Sequence, residues 1–428
     1  MQRHPWQQSC VTDYFRFGGC FVAMGVGAGK TTMAAWLAAR CERPVVLAPA
    51  RGLQQIREMF ADAHLPPEAF RSHTRMCLAQ SDGWLEEYAP SDVIVDEAHM
   101  LKNISTNTAA RRLNRYLVAN PRVRVCWMTG TPISRSLSDC VHGLRFALRS
   151  RAPLPTSREG IARFVELVDS SELAQQEFYA ELRARPGVFI DTAPSYDGEI
   201  QLEVVRRKPA LELDDLAYWE RGPAAWGARY RCVPPLSDAF RLARRDWSRE
   251  VGYLVDAGAC HTESQARLVR PDLYAAYQAV EEAEPPFEQV VEWEDDSALR
   301  EALRDVQPGT LVWAHHRAVQ ERAAEILGCA REPGGDVAVL SMQGHSTVLN
   351  LQQYHTNVIL EPSSDAALTA QLIGRTARQR QRSPVVRVQF ICAWGGARKA
   401  LDTAIKRAIL IQKTTGNGSP LLQLDKDR

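Results

Sequence analysis

The sequence predicts an α/β protein: two mostly parallel sheets flanked by helices, with a mainly helical segment between them. Three observations lead there. Residues 1–150 alternate short apolar runs with helical patterns. Residues 308–412 return to the same alternation. The stretch between them, 151–300, is instead rich in charge and tryptophan and has no Gly-rich loop. Alternation of strand and helix implies a parallel sheet covered on both faces.

In the first part, Cys20 to Met24 reads as a strand entering a Gly-rich turn. Lys30 to Cys41 reads as a helix with Met33, Trp36 and Leu37 on one side. Pro44 to Ala48 is a second buried strand, and Arg51 to Phe60 a helix. Val93 to Val95 and Val123 to Met128 are the third and fourth strands. The middle part carries basic runs interleaved with aromatics: Arg206-Arg207-Lys208, Arg229-Tyr230-Arg231 and Arg241 to Trp247. Among Trp219, Trp226, Tyr230, Trp247 and Tyr253, most are expected to pack as the core of a small helical insert, with some arginines left for phosphates. Glu281 to Asp296 is acidic, holds Pro285-Pro286 and reads as a solvated linker. In the last part, Thr310 to Ala314 is a strand and Ala318 to Leu327 a helix. Val337 to Leu340, Val358 to Leu360 and Val385 to Ile391 are further strands. Ala397 to Lys413 is a closing helix, and a loose tail is expected after Ser419. The expected divisions are 1–150, 151–304, 305–415 and 416–428.

Composition narrows the function. Of 428 residues, 45% are hydrophobic and 24% charged, as in an ordinary globular protein. The net charge is +1, so any binding to nucleic acid would need a local surface rather than a polycation. No apolar run approaches the roughly 20 residues that span a bilayer. The stretch Met1 to Trp6 is polar, without the apolar core of a signal peptide. These features lead to the expectation of a cytoplasmic protein without a membrane partner. The ten cysteines are scattered singly, and Cys260-His261 has no second ligand pair, so free thiols are expected.

Two segments carry the chemistry. In the first, Phe21 to Thr32, Gly25, Gly27 and Gly29 let the backbone N–H groups approach a triphosphate, with Ala28 between the last two. The helix that follows presents its positive end, flanked by Thr32. Lys30 is placed to reach the β and γ phosphates, and the Thr31 hydroxyl to ligate Mg²⁺. A Gly-rich turn without a ligand is the bland alternative, but the strand, the turn, Lys-Thr and the helix all agree. In the second segment, Val93 to His99, Asp96 follows three β-branched residues and so stands at the exposed end of a buried strand, where open parallel sheets bind ligands. Asp96 would hold Mg²⁺ and Glu97 would polarise an attacking water. Alone, Asp-Glu-Ala-His also suits a helix start; the upstream loop makes ATP hydrolysis the stronger reading. Thr129-Gly130-Thr131-Pro132 closes the fourth strand with hydroxyls, and alone it reads as a plain turn.

These residues resemble the superfamily-two helicases, and among them the Swi/Snf-like DNA-dependent ATPases. Pro5-Trp6-Gln7 is similar to the family's adenine-reading segment, with Gln7 as the contact. Leu47-Ala48-Pro49-Ala50 is similar to a loop that touches the nucleic-acid backbone. Met100 to Asn103 with Ser105, and Thr129 to Ile133, resemble the Swi/Snf branch. Further on, Thr310 to His315 resembles the strand opening a second lobe. Ser341 to Gly344 with Leu349 to Gln352 resembles the segment linking nucleic acid to ATP. Gln371-Leu372-Ile373-Gly374-Arg375-Thr376-Ala377-Arg378 matches the family's Gln-x-x-Gly-Arg-x-x-Arg pattern. The resemblance implies two RecA-like lobes, ATP and Mg²⁺, and catalytic roles for Glu97, Gln371, Arg375 and Arg378, the arginines reaching the γ-phosphate across the cleft. It implies DNA as partner, duplex favoured and RNA possible, and names no protein partner. Gly344 to Thr347 with Asn350 to Gln352 resembles helicases carried by bacteriophages, which implies the cytoplasm of a bacterial or phage-infected cell. Ser346 and Val348 stand where relatives often have Gly, Ala377 where His is common, and Arg380 where Gly is common. An RNA helicase of the same superfamily and a non-hydrolysing DNA-binding relative remain open alternatives.

Overall fold

The computed structural model describes residues 5–25, 28–50, 53–59, 65–101, 104, 107–130, 136–191, 196, 198–213, 216, 220–256, 263–342, 351–378, 381–415 and 418–426. Strands β1 (Gly19–Met24), β2 (Pro44–Ala48), β3 (Phe70–Ser72), β4 (Asp92–Val95), β5 (Arg124–Thr129) and β6 (Val188–Asp191) form one sheet. Its order is β3-β2-β4-β5-β1-β6 and every pairing is parallel. β1, β2 and β4 are buried at every position, as strands with cover on both faces must be. Successive side chains feed opposite cores. Phe21, Ala23, Val93 and Val95 meet the helices Thr108–Ala119 and Val141–Leu148. Val22, Met24 and Ile94 meet the helices Pro5–Phe17 and Lys30–Ala38.

The remaining strands are β7 (Glu199–Arg206), β8 (Ala228–Val233), β9 (Glu288–Trp293), β10 (Thr310–Ala314), β11 (Val337–Ser341), β12 (Thr356–Ile359) and β13 (Val385–Cys392). Five of them make a second parallel sheet in the order β11-β10-β12-β13-β7. β8 and β9 pair antiparallel as a separate ribbon. The molecule is therefore α/β, with parallel sheets flanked by helices.

The middle segment, expected as one unit over 151–304, divides three ways. The helices Arg158–Ser170 and Glu172–Arg183 pack Val168, Phe178, Tyr179 and Leu182 into the first core, and β6 joins the first sheet. β7 joins the second sheet. Among the described residues, the chain between β8 and β9 forms a helical insert of its own, around Phe240, Trp247, Val251, Leu254 and Tyr277. The acidic run expected as a linker contains β9, which pairs with the arginine-rich β8; Arg231 meets Glu292 and Arg229 meets Glu294, both at 3.0 Å. Trp226 and Trp247 are buried, whereas Tyr253 is exposed and Trp219 lies outside the described residues. The tail expected to be loose is anchored, since Leu421 and Leu424 insert into the second core. Among the described residues no helix is long and apolar enough to cross a membrane.

At the start of β4 a buried carboxylate ties the first half together. Asp92 accepts from Arg124 Nε at 2.6 Å and Nη2 at 2.9 Å, from Tyr14 Oη at 2.9 Å and from Ser91 Oγ at 2.6 Å. Burial would raise its pKa, but the Arg124 guanidinium, with Ser91 and Tyr14, overrides burial and holds it below the ordinary value. Arg124→Met should cost about 3 kcal/mol at neutral pH by stranding that carboxylate, read as a lower urea midpoint. The stability that Asp92 contributes is fully present above the unfolded carboxyl pKa, near about 4, and is lost as pH falls through the lower folded value. The gap between parent and variant should therefore close below about pH 4; a gap that persists there would assign the loss to packing instead.

Candidate functional site

The site forms where β1 and β4 end, with β5 between them. After Met24 the chain turns through Gly25 and Ala28 into the helix Lys30–Ala38. Gly29 caps that helix at φ 84°, a left-handed conformation that glycine adopts without strain. Gln7, buried on the helix Pro5–Phe17, donates through Nε2 to the Gly29 carbonyl at 2.9 Å and braces the turn. A Cβ on Gly29 would stand 2.6 Å from that nitrogen. Lys30 folds back so that Nζ donates to the Met24 carbonyl at 2.8 Å and the Gly25 carbonyl at 3.0 Å. Burial lowers its pKa, and the charges of Glu97 and Asp96 oppose that shift.

Asp96 extends β4 by one residue: its N–H donates to the Leu47 carbonyl of β2 at 2.8 Å. Its Oδ2 accepts from Thr31 Oγ1 at 3.4 Å, and its Oδ1 accepts from the Glu97 N–H at 3.0 Å. Glu97 adopts φ 48°, left-handed for a residue with a side chain, which turns its carboxylate off the strand direction. Burial and the charge of Glu97 raise the pKa of Asp96. Burial would raise Glu97 as well, but contact with His99 and the charges of Lys30 and Arg375 hold it low. His99 Nδ1 lies 3.4 Å from Glu97 Oε2 and 3.4 Å from Thr129 Oγ1.

Arg375 enters from the second half. It lies on the helix Ala366–Thr376, whose N-terminus is capped by Asp365 accepting from Ala367 N at 2.9 Å and Leu368 N at 3.2 Å. Its Nη2 stands 3.9 Å from Glu97 Oε1, and the side chain is buried. Burial brings its pKa down to about 10, so it stays a cation at neutral pH. Arg378 is half-buried, and its charge acts on both Lys30 and Arg375. Gln371 is buried one turn before Arg375 on the same helix. Neither Gln371 nor Thr32 has a described contact with the two carboxylates. No family model matches this chain, and no curated protein matches it.

The structure thus brings together Gln7, Gly25, Gly29, Lys30, Thr31, Asp96, Glu97, Arg375 and Arg378 from segments over 350 residues apart in sequence (378 − 7 = 371). Gly27, Lys102, Asn103, Ser105, Thr131 to Ile133, Gly344 to Asn350 and Arg380 lie outside the described residues. The donor set fits a nucleotide phosphate chain. Nothing crowds the place of a Cβ on Gly25, the Lys30 ammonium and the Arg375 guanidinium act on the same two carboxylates, and a hydroxyl stands beside Asp96. Chemically this can hold an anion and a divalent cation together while keeping one carboxylate ionised. Sequence reasoning gave His99 no role beyond its tetrapeptide, and no periodicity flagged the contact with Glu97.

Gly29→Ala should cost about 1–2 kcal/mol of folding stability from the left-handed φ alone, and more while Gln7 is present. In a Gln7→Ala background the thermal melt should recover part of that loss. Equal losses in both backgrounds would remove the Gln7 clash from the explanation.

Proposed function

We propose that this chain is a nucleic-acid-stimulated ATP hydrolase resembling the Swi/Snf-like branch of the superfamily-two helicases, with the nucleotide at the seam of two RecA-like lobes. One observation carries the reading: buried Arg375 of the second half approaches Glu97 of the first within 3.9 Å, in a cluster with Lys30, Thr31 and Asp96. Two parallel sheets flanked by helices are compatible with it. Lys30 would leave the loop carbonyls for the β and γ phosphates, with the backbone of Gly25, Ala28 and Gly29 around them. Thr31 and Asp96 would hold Mg²⁺, which supplies charge neutralisation on the phosphate oxygens when bound. Glu97, kept ionised by His99, Lys30 and Arg375, is suited to accept a hydrogen bond from a water. Arg375 and Arg378 would neutralise charge developing on the γ-phosphate, so hydrolysis would depend on the two halves being together. Gln7 would meet the adenine edge by resemblance. DNA as the polymer, duplex over single strand, rests on that resemblance too.

ATPase rates with duplex DNA, single-stranded DNA and RNA test this, with the greatest stimulation expected from duplex DNA. Lys30→Ala and Glu97→Gln should each lower kcat by about 100-fold or more, about 2.7 kcal/mol of barrier. Arg375→Ala should lower kcat to a similar extent while leaving nucleotide affinity within about threefold. Turnover in Lys30→Ala equal to the parent would overturn the assignment, and stimulation by RNA alone would reassign the polymer.

A further inference from the structure

No described contact joins the basic run Arg206-Arg207-Lys208 to the cluster around Asp96 and Glu97. The run lies where β7 ends beside the end of β13, and the Arg207 N–H donates to the Cys392 carbonyl at 3.1 Å. From there the chain leaves toward β8 and the helical insert, and it returns from β9 through Asp295 into the helix Ser297–Leu303. Between the departing and returning segments is a cavity of about 560 Å³. Arg206, Arg207 and Lys208 line it from the departing segment, and Asp295, Ser297 and Glu301 from the returning one. Ala210 N donates to the Ala225 carbonyl at 2.9 Å. Asp295 accepts from Ser297 N at 2.9 Å and from Ser297 Oγ at 3.0 Å. Both segments are therefore held in place by hydrogen bonds of their own, without a ligand.

The charges that line the cavity are unequally matched. Asp295 is engaged by Ser297, and Glu301 lies 3.5 Å from Arg207 Nη1. Arg207 Nε is buried without a hydrogen-bond partner. Arg206 and Lys208 are exposed and meet no carboxylate among the described residues. The arginines of the adjoining ribbon differ: Arg229 meets Glu294 and Arg231 meets Glu292. Three cations against two carboxylates leave the lining at +1 (3 − 2 = 1), and the excess resides on the two unmatched side chains. A charged, polar lining suits a hydrated anion better than an apolar ligand. Guanidinium and ammonium groups only donate, so they fit a group whose oxygens only accept. A phosphodiester is such a group and carries a single charge. A free phosphate carries about −1.5 to −2 at neutral pH and would be repelled more strongly by Asp295 and Glu301.

We propose that this cavity, at the root of the insert, binds a phosphodiester of a nucleic-acid backbone through Arg206 and Lys208; this rests on the nucleic-acid part of the reading above and not on hydrolysis. Affinity for a labelled random-sequence DNA duplex, measured without nucleotide from about 50 to 200 mM salt, tests it. The comparison is between the parent, Arg206→Ala/Lys208→Ala and Arg300→Gln/Arg304→Gln. The last removes the same charge from exposed positions outside the lining. The cavity variant should bind about tenfold or more weakly at about 0.1 M salt, and its slope of log affinity against log salt should be shallower by about 2, as loss of two phosphate contacts requires. Neither side chain has a carboxylate partner to lose, so its melting temperature should not fall below the parent's. The control should keep the parental slope. Equal shifts in both variants would make the effect one of overall charge and sink the inference. Parental affinity and slope in the cavity variant would sink it as well, and loss of inorganic-phosphate binding alongside them would give the cavity to a free anion. A parent that binds no nucleic acid would sink the polymer part of the reading above, and this with it. A parent that binds nucleic acid without hydrolysing ATP would sink the hydrolase reading and leave this inference standing.

Discussion

Asp96 and Glu97 are adjacent in sequence and both nearly buried, and two like charges so placed are costly unless cations balance them. Lys30 supplies one cation from the loop after β1, and Arg375 supplies another from the far sheet. His99 brings its Nδ1 to 3.4 Å from Glu97 Oε2. The outcome is asymmetric: burial and the charge of Glu97 push Asp96 up, while contact with His99 and the charges of Lys30 and Arg375 hold Glu97 down. Electrostatic balance in the first half is thus incomplete without the second. A nucleotide would add negative charge beside the two carboxylates, which raises the demand for Lys30, Arg375 and Arg378 together.

Such a balance needs its cation delivered at a fixed place. Trp313 of β10 donates through Nε1 to Asn357 Oδ1 at 3.0 Å, and Asn357 Nδ2 donates to Thr376 Oγ1 at 2.9 Å. Asn357 is buried and has both ends of its amide satisfied. The chain of bonds runs from the middle of the second sheet to the residue after Arg375. The Arg375 carbonyl itself accepts from Leu351 N at 3.3 Å. Asp365 fixes the opposite end of the same helix. The backbone beneath the guanidinium is therefore pinned at both helix ends, which leaves little of the entropy cost that a surface arginine would bear.

The strands were legible because their burial is total. Val45, Val46 and Leu47, or Leu311, Val312 and Trp313, are apolar on both faces, and no other element of that length explains such runs. The Gly-rich turn and the acidic pair were legible for the same reason: their strands end abruptly in glycine or carboxylate. Edges were not. β7 alternates half-buried Ile200, Leu202 and Val204 with exposed Glu199 and Gln201, a two-residue period submerged in a charged stretch. β9 is mostly exposed and acidic, and its strand character comes from the arginines of β8 opposite it, a pairing invisible one segment at a time. The helix Pro5–Phe17 buries only Gln7, Cys10 and Tyr14, too sparse a stripe to announce itself.

Two ion pairs between the halves stand out among the described residues. β6 and β7, consecutive in sequence, are edge strands of different sheets. The helix Glu172–Arg183 of the first half packs along the helix Gly395–Thr415 of the second, with Lys413 Nζ 3.6 Å from Glu172 Oε1. That ion pair is exposed on both sides and contributes at most about 1 kcal/mol. Arg375 and Glu97 are 3.9 Å apart, longer than a charge-assisted hydrogen bond. An anion held by Lys30 on one side and by Arg375 and Arg378 on the other would draw the halves together through its own charge, and its loss would relax them.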